Sequence, residues 1–320
     1  MKNGVIINKF KIQGYYTYQT KELAARNRDL FQYYALMTPE LELLKQSCTY
    51  RVFHDQDGKS IVESILSAWN IGYEDQTSGG TAEKFYKLEQ VFQYGESDFD
   101  FISRLMEREG IFYTFAHKLD EKNVLQHKMI LRNTNPSNSM NLKYDPDGTD
   151  LDVQSFDIGE EIGINSIRLG DYDYREATKW FFTGDDQQVG QKTDLRQVTE
   201  KMRLDDPYSQ FSEVTNVGED ASYRTKLKTI SAQRARAAQF CWNGSTRNRE
   251  IATGNGFVLE SFVSGSIRGL ITGLDFEVTT TPYAIEDAYV TSDSKFGLEG
   301  KFMAQDLNVP FRPQLTVRQP

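Results

Sequence analysis

Residues 93–115 read QYGESDFDFISRLMEREGIFYTF, and the fold turns on how this stretch is interpreted. Ser97 stands where a helix N-cap is needed, Asp100 follows at the third helical position, and Gly110 can close the helix in a left-handed conformation before the strand-like IFYTF. Phe99, Ile102, Leu105 and Met106 recur at helical spacing, so they form one apolar stripe. The four carboxylates Asp98, Asp100, Glu107 and Glu109 admit two readings: acid/base machinery, or helix punctuation. Asp98 and Asp100 favour the positive end of the helix dipole, and Glu107 and Glu109 flank Arg104 and Arg108 on the side expected to face solvent. The structural reading accounts for all four positions and is preferred.

The same grammar occurs upstream. In SIVESILSAWN, residues 60–70, Ser60 is read as the N-cap and Glu63 as its capping-box partner, with Ile61, Ile65 and Trp69 on the buried face and Gly72 as the stop. Trp69, Phe99, Ile102, Leu105 and Met106 are thus the expected core of a middle domain. Before it, VIINKFKIQGYYTY (5–18) and LFQYYALM (30–37) read as strands, and TPELELLKQS as a short helical turn ahead of the extended CTYRVFHD. After it, KMILR reads as a strand, NTNPSNSM and YDPDGTD as turns, and FDIGEEIGINSIRLGDYDYREA as a strand pair. Residues 182–219 read as a long polar loop, and 221–241 as the longest helix, stopped by Gly244. Its Arg224, Lys226, Lys228, Arg234 and Arg236 form either a solvated face or a seam against an acidic neighbour. Residues 251–313 return to strands, giving an α+β fold that is predominantly β.

The 320 residues allow two domains, and 38% hydrophobic with 12% aromatic content supplies a core. A net charge of −9 disfavours nucleic acid and anionic membranes as partners. Cys48 and Cys241 lie far apart without Cys-x-x-Cys spacing, as expected of reduced thiols in a protein made in the cytoplasm. No apolar run reaches spanning length and no signal-peptide core follows Met1, so export would need a route that reads no N-terminal signal.

Motifs for chemistry fail on spacing. Asp57-Gly58-Lys59-Ser60 ends like a phosphate loop, but Phe53 stands where its first glycine belongs, and Gly254-Asn255-Gly256 lacks the third glycine of a dinucleotide fingerprint. Asp145, Asp147, Gly148 and Asp150 resemble a calcium loop, but position twelve is Phe156, and turn chemistry explains them. His54, His117 and His127 have no metal-ligand spacing, and no nucleophile elbow occurs. The residues nominate no catalytic centre, cofactor or metal.

The opening stretch closely resembles the signature of VgrG-type spike proteins of type VI secretion, which are related to the hubs of contractile phage tails. YRVFHDQDGKSIVESILSAWNI upstream, RLGDYDYREA at 168–177 and KFMAQDLNVPFRP at 301–313 extend the resemblance over about residues 3–316, with 75–90, 116–127 and 178–220 matching poorly. It implies two barrel-like β domains around an α+β middle. Residues 1–47 would be part of the first barrel, 48–150 the middle, 151–180 and 245–316 the second barrel, and 181–244 a long loop and connecting helix. The family pattern has strands before the segment matching Asn3-Gly4 and continues past Pro313 into a small barrel and a trimeric needle, so the resemblance covers the hub portion.

The implied role is a non-enzymatic homotrimer joining a six-fold Hcp-type tube to a C-terminal needle or tip protein, with effectors as possible cargo. It would assemble in the cytoplasm and leave through the contractile apparatus. A hub or baseplate protein of a phage-like particle is the alternative, and a tail-associated cell-wall hydrolase is an alternative of another class.

Overall fold

The computed structural model describes residues 39–78, 84–119, 125–147, 152–161, 163, 166–172, 180–182, 187–188, 203–207, 221–262, 265–279 and 297–317. The strand readings at 5–18 and 30–37, and with them most of the expected first barrel, lie outside these residues. A 3-10 turn, Glu40–Gln46, leads into β1 (Thr49–Gln56), α1 (Gly58–Ala68), β2 (Tyr73–Asp75), β3 (Leu88–Glu96), α2 (Asp98–Glu109), β4 (Phe112–Leu119) and β5 (Leu125–Arg132). Then follow β6 (Ser139–Lys143), β7 (Val153–Asp157), β8 (Ser166–Tyr172), β9 (Trp180–Phe182), β10 (Gln187–Gln188) and β11 (Arg203–Pro207). The chain continues with α3 (Ala221–Ala237), β12 (Trp242–Thr246), β13 (Gly256–Phe262), β14 (Gly265–Thr279) and β15 (Gly297–Asp306). The fold is α+β with β structure predominant.

Two cores organise it. In the first, α1 and α2 lie together beside the antiparallel pair β1–β3 and the sheet β2–β5–β4. Ile61, Val62, Ile65 and Leu66 of α1 meet Phe101, Ile102, Leu105 and Met106 of α2, and the cluster extends to Ile167 of β8 and to Tyr223 and Leu227 of α3. The second core lines a six-stranded sheet in the order β6-β13-β14-β15-β12-β7. Its edge strands approach one another at a parallel bridge between Tyr144 and Val153, backed by Asp145 N–H donating to Val153 O at 2.8 Å, so the sheet curls on itself at that end. Phe156 fills the interior, with Trp242, Phe257, Phe262 and Phe302 rings all within 6.0 Å. Closure of this kind hides edges that would otherwise invite pairing.

Several sequence expectations are corrected. The first helix begins at Gly58, with Asp57 as N-cap: Asp57 Oδ1 accepts from Ser60 N–H at 2.9 Å. Ser60 therefore occupies the third helical position and returns its hydroxyl to Asp57 Oδ2 at 2.6 Å. Glu63 takes no part in the cap; it faces Lys59 one turn earlier at 3.7 Å. Ile61 and Ile65 are buried as expected, together with Val62 and Leu66, but Trp69, at the helix C-cap, is 37% exposed rather than in the core. Asn70, at φ 54°, supplies the left-handed stop assigned to Gly72, and Ile71 N–H closes back on Leu66 O at 2.9 Å.

Strands β7 and β8 do not pair with each other: β7 joins β12, whereas β8 pairs with β9, β10 and β11. The region read as loop contributes β10 and β11, two short partners of β8. The strands of the six-stranded sheet come from both sides of residue 150, since β6 precedes it. Gly244 ends no helix. It sits within β12, where an added Cβ would stand 2.4 Å from the Phe302 ring, so its role is close packing over the aromatic core.

Candidate interaction site around the signature helix

Helix α2 starts as its sequence requires. Ser97 Oγ accepts from Asp100 N–H at 3.0 Å and donates to Asp100 Oδ2 at 2.7 Å, which ties the first turn to its own cap. Gly110 closes the helix at φ 72°, ψ 22°; an added Cβ there would meet Arg312 Cδ at 3.1 Å and Ile230 Cγ2 at 3.2 Å. Glycine is thus needed twice, for the backbone conformation and for the close approach. Ile102, Leu105 and Met106 are buried, while Phe99 is partly buried and carries Lys45 over its ring at 4.4 Å.

Arg104, Glu107, Arg108 and Glu109 do not face solvent as expected: all four are buried, as is Asp98 in the first turn. The reason is that the C-terminal half of α2 is flanked by α3 and the segment after β15 as well as by the first core and β3. Each charge meets a particular partner. Asp98 accepts from Gln93 Nε2 at 2.8 Å, from the Trp69 indole N–H at 2.8 Å and from Arg51, and its own N–H donates to Ser47 Oγ at 2.8 Å. Burial pushes the Asp98 carboxyl up, but the hydrogen bonds from Gln93, Trp69 and Arg51 and the Arg51 charge outweigh it and hold it below the usual carboxylate range. Arg104 grips Glu96 through Nε at 3.0 Å and Nη2 at 2.8 Å, with Nη2 also donating to Phe92 O at 2.5 Å.

At the far end, Glu109 joins α2 to α3. Tyr223 Oη donates to Glu109 Oε1 at 2.9 Å and Lys226 Nζ to Oε2 at 2.6 Å, with Lys226 also lying 4.4 Å from the centre of the Phe85 ring. Glu107 instead accepts from Thr316 N–H at 3.0 Å, Thr316 Oγ1 at 2.5 Å and Val317 N–H at 3.3 Å. Arg234 of α3 donates to Glu107 O and, through Nε, to Pro313 O at 2.6 Å. The basic face of α3 is therefore a seam at Lys226 and Arg234 rather than a solvated surface. Arg236 contacts Glu160 at the surface. Burial also pushes the nearby Tyr113 phenol up to about 12, with Glu42 and Glu107 adding to it, so that hydroxyl stays neutral.

Chemically, this is charge used for fastening. Carboxylates closed in by fixed donors are poor proton carriers and good anchors. The remaining surface feature is the outer face of the β1–β3 pair, where Tyr50 (68% exposed) is paired with Tyr94 (69%) and Val52 (48%) with Phe92 (36%). The Tyr50 and Tyr94 rings meet edge to face at 5.2 Å. This contiguous apolar face was not singled out in the sequence, although alternation in YRVFH and VFQYG carries the signal. Among the described residues, no group of three or more His, Cys, Asp or Glu is placed to hold a metal ion, and no helix is long and apolar enough to cross a membrane. Cys48 and Cys241 are exposed free thiols, and His127 stacks on Phe115 at 4.6 Å.

Comparison with known proteins follows the same lines. Two curated relatives from Pseudomonas aeruginosa are the type VI secretion system spike protein VgrG1a, 30% identical over 147 residues, and VgrG1b, 26% identical over 153 residues. These alignments cover 45% and 47% of this chain but only 22% and 20% of those proteins, so the chain spans about a fifth of their length. Among solved structures, the E. coli c3393 protein, described as a component of the type VI secretion system with structural similarity to T4 tail proteins gp27 and gp5, superposes with a TM-score of 0.54 at 16% identity. That match covers 88% of this chain and 57% of the other. A tail protein from Neisseria meningitidis MC58 gives a TM-score of 0.50 at 8% identity, covering 84% and 72%. The resemblance read in the signature stretch is thus borne out by the curated relatives, and the fold is shared with the two solved structures. A family model for the phage tail baseplate hub (GPD) matches residues 8–289, most of the chain, and the chain belongs to that family.

Proposed function

We propose that this chain is a structural, non-enzymatic hub of a type VI secretion spike, one that assembles as a homotrimer and joins an Hcp-type tube to a puncturing tip. The hub-family match over residues 8–289 carries the reading. The curated spike relatives favour the secretion apparatus over a phage particle. Buried charges committed to fastening support a structural role, and the apolar β1–β3 face has the composition of a surface covered on assembly. Export would then follow the apparatus. A hub of a phage-like particle is the second reading, favoured by the fold shared with the Neisseria tail protein.

Light scattering at several concentrations, combined with binding to purified hexameric Hcp rings, tests the proposal. The expected result is a trimer that binds the ring. A stable monodisperse dimer, or a trimer indifferent to Hcp at high concentration, overturns it in this form. Trimers that instead bind a phage tail-tube ring support the second reading.

A further inference from the structure

After β15 the chain forms neither helix nor strand through Val317, yet its backbone is fixed by side chains from three other elements. Asn135, in the turn after β5, donates to both Leu307 O and Val309 O at 2.8 Å and accepts from Phe311 N–H at 2.9 Å. The Phe311 ring meets Phe112 of β4 edge to face at 5.1 Å. Arg312 is buried among elements of the first core, donating to Gly110 O at 2.9 Å, Asn133 O at 2.5 Å and Gln233 Oε1 at 2.7 Å. Beyond it, Arg234 holds Pro313 O, and Glu107 takes both Thr316 and Val317.

The two ends of this segment are held differently. The inner end, 307–312, is anchored by an amide, an aromatic contact and a buried guanidinium, spread over β4, the turn after β5, α2 and α3. The outer end, 314–317, is held by one long bond from Gln314 Nε2 to Arg234 O at 3.4 Å and by Glu107, on which the hydrogen bonds of Thr316 and Val317 all converge. A segment fixed by side chains instead of a ladder can open locally without disturbing either core. We propose that residues 314–317 form a releasable strap latched by Glu107, which opens from α2 as a unit while Arg312 and Pro313 remain seated. The inference is independent of the proposed hub function, because it concerns the chain alone.

Amide hydrogen exchange resolved by residue in the full chain tests it. In the unaltered protein, the Thr316 and Val317 amides should be protected, but less than those of β15. In Glu107→Ala their protection should fall by about tenfold or more, consistent with losing charge-assisted bonds, while β15 amides keep theirs. Thr316→Val removes only the hydroxyl bond and leaves the buried carboxylate intact, so it should give a smaller loss confined to 316–317 and remain interpretable if Glu107→Ala folds poorly. Unprotected amides in the unaltered protein, no change in either variant, or equal loss in β15 would overturn the strap.

Discussion

Asp98 gathers donors of four kinds, a guanidinium, an indole N–H, an amide and the Thr49 hydroxyl, onto two buried oxygens. Its lowered folded-state pKa fixes the sign of a pH effect. A carboxyl held below its unfolded value, about 3.9, contributes stability that is fully present above that value and is lost as pH falls through the folded one. Asp98→Asn should therefore be less stable than the parent at pH 7, with the difference narrowing below about pH 4. Urea titrations at pH 7, 4 and 3 check this, and a gap that widens in acid would contradict the assignment. The caps give simpler expectations. Ser97→Ala should cost roughly 0.5–2 kcal/mol by orphaning the Asp100 N–H, and Gly110→Ala about 1–3 kcal/mol because φ is 72° and Arg312 must move. Glu107→Gln, neutral if Glu107 faced solvent, is now expected to be destabilising, since three bonds converge on that buried carboxylate.

Among elements, α2 was legible because its cap, stripe and stop all agree on one register. Leu105→Ala should cost ~2–5 kcal/mol in denaturant unfolding, as its side chain lies fully within the first core. Helix α1 was legible only to within one turn, because Asp57 and Ser60 are both competent caps three residues apart. The choice falls to Asp57, with which Ile61, Val62, Ile65 and Leu66 are buried and Trp69 is released to reach Asp98. What the Glu107 and Glu109 carboxylates do was illegible locally: their partners Tyr223, Lys226 and Thr316 lie more than a hundred residues away, and amphipathic spacing alone cannot distinguish a solvated face from a second buried one. The β1–β3 pair yields a prediction of its own. Replacing Tyr50 and Tyr94 together with serine removes exposed apolar surface, so monomer stability should change by no more than about 1 kcal/mol, whereas self-association measured by sedimentation should weaken. Unchanged association would show that this face lies outside any assembly.

For the whole molecule, the informative feature is how two separate cores are joined. The six-stranded sheet was legible as strands but not as an order: β6 and β7 find partners, β13 and β12, about ninety or more residues later in the chain, a pairing that only tertiary closure selects. Its attachment to the first core is made by a few polar contacts, including Arg132 Nη1 to Gly254 O at 3.2 Å and the three bonds of Arg312. Arg312, six residues past the end of β15, touches the end of α2, the turn after β5 and α3 at once, so it ties the segment leaving the second core to the first, and unfolding of either should be felt by the other through it. Cores that share strong contacts unfold as one unit, and weakened coupling lets them separate. Scanning calorimetry should accordingly show tight coupling of the two cores in the parent chain. In Arg312→Ala the van't Hoff enthalpy should fall below the calorimetric enthalpy as the transition divides. In a Trp69→Phe, Trp180→Phe background, emission from Trp242 in the second core and loss of helical circular dichroism, which reports α1, α2 and α3, should then no longer coincide. A variant that only lowers the midpoint, with both probes still superimposed, would place the coupling elsewhere in the interface.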